Sequence, residues 1–80
     1  MNTMKVTDLK LHESLTITNR SGRQVIVWTK KPDASSVFKF RRMCFINKQL
    51  VTVMDIRKLG SAEDEELAFR KSLGWRIVKT

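Results

Sequence analysis

The chain has 80 residues, 41% of them apolar and 30% charged, and sixteen Lys and Arg against eight Asp and Glu give a net charge of +8. That length supports a single domain over residues 1–80, and the apolar share excludes a collagen-like repeat or an acidic disordered segment. A multidomain enzyme is excluded too: at this size folding removes only about 60–65% of the unfolded surface from water, which leaves a thin core and little room for a deep cleft.

In chain order, residues 1–5 are expected to be flexible, and residues 6–12 alternate loosely, with Leu9 and Leu11 on one face, as an extra N-terminal strand would. Leu15 and Ile17 continue the alternation through 14–18. Asn19-Arg20-Ser21-Gly22 is a polar turn with glycine available for positive φ. The β-branched run Val25-Ile26-Val27-Trp28 follows, so the two runs predict a β-hairpin. Residues 30–36 form a polar loop around the single proline, Pro32.

A third strand is predicted over 37–46 and a fourth over 50–56, joined at Asn47-Lys48, where asparagine tolerates the left-handed region. A helix over 62–73 has agreeing signals at both ends. Ser61 is a good N-cap, four acids fill the first turn, Arg70 and Lys71 fall in the last turn, and Gly74 fits the position just past the end. Ala62, Phe69 and Leu73 make one stripe for packing on a sheet. Trp75 and Ile77 then alternate with polar neighbours in a short final strand. The expectation is an α+β fold: an antiparallel sheet of four to five strands in two hairpins, with one C-terminal helix on one face. The other sheet face, left free, is where function is expected.

The charge is uneven. Residues 20–48 hold eight basic residues, Arg20, Arg23, Lys30, Lys31, Lys39, Arg41, Arg42 and Lys48, against one acid, Asp33, and so carry +7. Residues 61–80 balance four acids with four bases. Such a field attracts polyanions, chiefly nucleic acid, and also acidic protein faces. Within 38–45 a strand places Phe38, Phe40, Arg42 and Cys44 on one face and Lys39, Arg41, Met43 and Phe45 on the other. If both rings fill the core, Arg42 points inward with them, while Lys39 and Arg41 stay outside. Trp28 and Phe38 are candidates to stack a base or anchor a partner. Arg20 and Arg23 bracket the first turn and Lys30 and Lys31 begin the long loop, so hairpin geometry can enlarge the basic surface.

Catalytic chemistry has little material here. His12 is the only histidine and Cys44 the only cysteine, so neither a zinc site nor a cysteine–imidazole pair is expected. Asp8, Glu13, Asp33 and Asp55 show no acid/base spacing. A lone thiol excludes an internal disulfide, and there is no apolar run long enough to span a bilayer and no apolar segment of the signal-peptide kind, which points to the cytoplasm. No cofactor is expected. The sequence therefore reads as a non-enzymatic regulatory protein that binds DNA or RNA through a basic surface. The alternative is a phage- or plasmid-type regulator docking on an acidic face of a host protein such as RNA polymerase or another nucleic-acid enzyme. An uncovered sheet edge is also open to pairing with a second copy as a homodimer.

Overall fold

The computed structural model of the chain describes residues 5–30, 39–57 and 60–80. Its strands are β1 (Ser14–Thr18), β2 (Gln24–Lys30), β3 (Phe40–Ile46), β4 (Gln49–Ile56) and β5 (Arg76–Lys79), with the helix α1 (Ser61–Ser72) between the last two. All pair antiparallel in one five-stranded sheet of order β4-β3-β2-β1-β5. The α+β expectation of a sheet, one helix and a short last strand is what forms. Among the described residues no helix is long and apolar enough to cross a membrane.

Alternation selects the core. Leu15 and Ile17 of β1, Ile26 and Trp28 of β2 and Cys44 of β3 point to one face and are buried there with Leu67 of α1, Val6 and Leu9. Phe40, Ile56, Trp75 and Ile77 pack at its margin. Eight buried side chains among the described residues are few, in keeping with the thin core expected of a short chain.

Three expectations change. Residues 6–12 are not a strand. Val6–Asp8 is a single 3-10 turn, laid over the core and tied to α1 by Asp64, whose carboxylate accepts the Val6 N–H at 2.9 Å and the Thr7 hydroxyl at 3.0 Å. These two long-range hydrogen bonds to the first turn of α1 satisfy backbone and side-chain polar groups that a strand would have paired elsewhere. The helix N-cap is Gly60 rather than Ser61: the Gly60 N–H donates to Glu63 Oε2 at 2.8 Å, so Glu63 supplies the cap from within the first turn.

The third change is the helix face. Leu67 is buried, but Phe69 and Leu73 are 62% and 50% exposed. α1 turns inward the side that carries Leu67, flanked by Glu66 and Arg70, and Arg42, between Trp28 and Met54 on the sheet below, lies 3.6 Å from the Glu66 carboxylate. Lys30, read as the first residue of the predicted loop over 30–36, belongs to β2; residues 31–36, and residues 37–38 of the third predicted strand, lie outside the described residues.

Candidate nucleic-acid interface

The seven described cations of residues 20–48 are distributed over different parts of the fold. Arg41 is on the sheet face away from α1, where its Nε donates to Asp55 Oδ1 at 2.8 Å and its Nη2 to Asp55 Oδ2 at 3.3 Å. The hydrogen bond that Asp55 accepts, and then its charge, raise the Arg41 pKa above its ordinary value. Arg42 faces the helix, with its Nη2 3.6 Å from Glu66 Oε1 and its guanidinium 5.9 Å from the centre of the Trp28 ring. Lys30 ends β2 with its ammonium 5.8 Å from the Phe40 ring, and Lys39 is exposed at the same end of the sheet, its N–H donating to the Ile56 carbonyl. Lys31 and Phe38 lie outside the described residues. Trp28 is 4% exposed, so its ring belongs to the core and is closed to a base.

Arg20, Arg23 and Lys48 come together at the opposite end of the sheet. Asn19 organises the β1–β2 turn. Its N–H donates to the Gln24 carbonyl at 3.0 Å, and its side-chain oxygen accepts from the Gln24 N–H at 3.1 Å. Gly22 supplies φ +79 and donates back to the Asn19 carbonyl. The β3–β4 turn lies alongside: the Asn47 N–H donates to the Arg23 carbonyl at 2.8 Å, and Asn47 and Lys48 both take positive φ, +51 and +68, as a type I′ hairpin turn requires.

The helix brings further cations to this end. α1 stops in a Schellman arrangement in which the Gly74 N–H donates to the Lys71 carbonyl at 3.0 Å and the Trp75 N–H to the Arg70 carbonyl at 3.1 Å. Gly74, at φ +90, lies against the Arg20 side chain. The turn directs the chain into β5, where Arg76 pairs with Thr18 next to the β1–β2 turn. The Arg70 guanidinium stacks 4.5 Å above Trp75 and bonds Glu66 at 2.9 Å, so it is spoken for. Arg20, Arg23, Lys48, Lys71 and Arg76 are exposed, and among the described residues none of the five is in an ion pair. The two turns, the end of α1 and the start of β5 contain no Asp or Glu.

Lys71 and Arg76 were not legible as part of this surface, because residues 61–80 sum to zero charge. Position carries the missing signal: the acids occupy 63–66 and the bases follow from 70. Along α1 Lys71 stands about 12 Å beyond Glu63 at roughly 1.5 Å per residue, Glu66 is held by Arg70, and Arg76 follows the end of the helix. The free sheet face, where function was expected, carries an apolar row beside polar residues and the Arg41–Asp55 pair. Val27, Met43 and Val53 stand side by side across β2, β3 and β4, with Phe45 next to them. Among the described residues no group of His, Cys, Asp and Glu could hold a metal ion. Comparison with protein-family models found no match, and searches of curated proteins and of solved structures returned none.

Proposed function

We propose that this protein is a non-enzymatic regulatory module of the cytoplasm that binds nucleic acid with its cationic end. The observation that carries the reading is the grouping of Arg20, Arg23, Lys48, Lys71 and Arg76, five exposed and unpaired cations with no carboxylate among them. Unpaired cations can exchange water and counterions for phosphate oxygens, whereas Arg41 and Arg42 would first have to leave a carboxylate. The hydrogen-bonded turns hold the backbone that carries Arg20, Arg23 and Lys48, so what is left to order there on binding is the side chains. Their contacts are to the phosphate backbone, so binding is expected to be weakly dependent on base sequence.

Five neutralised phosphates correspond to a log–log salt slope of about −4.5 on duplex, a loss of about 500-fold between 50 and 200 mM salt. Anisotropy titrations of fluorescein-labelled duplex DNA, single-stranded DNA and hairpin RNA test this. The double variant Arg20→Glu/Arg23→Glu should lose most of the affinity and flatten the slope, while Lys30→Gln, at the far end of the sheet, should change little. Wild-type affinity in the double variant would remove the site.

A protein partner with an acidic face, such as RNA polymerase, is the second reading. The outward stripe of Phe69 and Leu73 next to the same cations favours it, because an exposed ring ringed by charge suits an interface anchor. Here Phe69→Ala should abolish capture of the partner and leave nucleic-acid titrations unchanged.

A further inference from the structure

The strand registers line up one row of residues across the free sheet face. Arg76 pairs with Thr18, Thr18 with Val25, Val25 with Phe45 and Phe45 with Leu50, one residue from each of the five strands. The preceding or following residues Ile77, Ile17, Ile26 and Cys44 turn to the core, on the side where α1 and the Val6–Asp8 turn lie. Alternation therefore leaves this row on the open face. At a strand spacing of about 4.8 Å it runs for about 19 Å. The next row, Val78, Thr16, Val27, Met43 and Val53, is uncharged. Phe45 is the only ring in either row, half-buried between Val25 and Leu50.

The row with Phe45 lies at the cationic end of the sheet. It finishes on Arg76, Arg23 is two residues before Val25, and Lys48 is in the turn that joins Phe45 to Leu50. All three cations are exposed, and among the described residues none is in an ion pair. Neither row holds an Asp or Glu. Asp55 is on the same face one row further on, and Arg41 holds it at 2.8 Å. Apolar surface bordered by free cations on one side fits a ligand that is polyanionic along one line and apolar along another.

We infer that the nucleic acid this surface prefers is a single strand, with a base stacked on Phe45 and neighbouring phosphates on Arg23, Lys48 and Arg76. The inference rests on the nucleic-acid reading above and adds to it the form of the strand and the ring that selects it. A single strand offers the flat face of each base beside its chain of phosphates. A duplex keeps those faces inside its own stack and offers this row phosphates alone. Every base has such a face, so the selection is for strand form and not for sequence. Trp28 cannot take this part, since it is buried on the opposite face of the sheet. Phe45 can, because it stands at an odd step from Trp28's partner Arg42 along β3.

Anisotropy titrations of the full chain separate the base from the phosphate. The probes are a fluorescein-labelled thymidine oligomer of about 12 nucleotides, an abasic oligomer of the same length, which keeps the phosphates and lacks the bases, and a duplex. The thymidine oligomer is expected to bind at least about 5-fold more tightly than the abasic one, the low end of what one stacked base contributes. Phe45→Leu keeps apolar bulk between Val25 and Leu50 and removes the ring. It should abolish that preference and leave affinity for the abasic oligomer and the duplex at the wild-type value, which also shows that the variant is folded. Phe45→Trp should retain the preference. Equal wild-type affinity for the thymidine and abasic oligomers, or a preference that survives Phe45→Leu, would overturn the inference and leave the cationic end as a surface for phosphates alone. Binding of none of the three probes would remove the nucleic-acid reading itself and leave the face to an acidic protein, so the two failures are told apart.

Discussion

Lys48 shows how a single residue can serve binding at a cost to stability. It sits at φ +68 in the second central position of a type I′ turn, directly after Asn47 at φ +51. Asn-Gly is the favoured pair for that turn, and an L side chain in the left-handed region costs roughly 1–2 kcal/mol. Glycine loses more backbone freedom on folding, which returns part of that difference. Lys48→Gly is expected to raise stability by up to about 1 kcal/mol, read from the urea midpoint. The same change should make the duplex salt slope shallower by about 0.9. A stabilised variant with the wild-type slope would show that Lys48 does not meet a phosphate. Gly74 obeys the same rule with the opposite outcome, because its φ of +90 ends the helix and aims β5.

At the scale of the element, α1 is the instructive case. A stripe of Ala62, Phe69 and Leu73 reads as the packing face, yet the helix packs through Leu67, flanked by Glu66 and Arg70. Glu66 lies between Arg42 and Arg70, so one carboxylate serves a cation from the sheet and one from its own helix. The contact gives Arg42, on the helix-facing side of β3, a carboxylate at 3.6 Å, and a partly exposed pair of this kind contributes about 1 kcal/mol at most. Leu67→Ala is expected to destabilise by about 2–4 kcal/mol, a large part of the total for so small a core. Phe69→Ser should shift stability by no more than about 0.5 kcal/mol. Urea unfolding of the two variants checks the orientation, and the reverse order of effects would mean that the stripe packs inward.

For the whole molecule, what matters is polarity of charge along the sheet. The cationic turns occupy one end, while the helix acids Glu63 and Asp64 and the Glu13 carboxylate lie toward the other. Glu13 also closes the seam where β1 meets β5. It accepts the Lys10 N–H at 2.7 Å and lies 3.7 Å from the Lys79 ammonium. The Lys10 backbone bond, opposed by desolvation and helped by the Lys79 and Lys10 charges, holds its carboxyl below the usual glutamate range. A carboxyl lowered by folding contributes stability that is complete above the unfolded glutamate value of about 4.3 and is lost as pH falls through the folded value. Wild-type urea midpoints should therefore fall more steeply below about pH 4.3 than those of Glu13→Gln. Parallel curves would mean that the seam carries no linkage.

Much of this was written in local sequence. Alternation in 14–18, 25–28 and 50–56, glycine and asparagine at the turns, acids before bases along 61–73 and Gly74 after them determine five strands' worth of antiparallel sheet and one helix, because these signals act within a few residues. The excess of cations and the poverty of catalytic side chains are equally plain. Tertiary structure alone decided which cations stand free. Arg41 and Arg42 lie next to each other in sequence and on opposite faces of a strand, and each meets a carboxylate from a distant segment, Asp55 or Glu66. Arg20, Lys48 and Arg76 are far apart in the chain and share one end of the sheet because hairpin register and the helix reversal put them there. Charge in a sequence is a sum along a line, whereas a phosphate meets charge as a sum over distance, and only folding sets the distances.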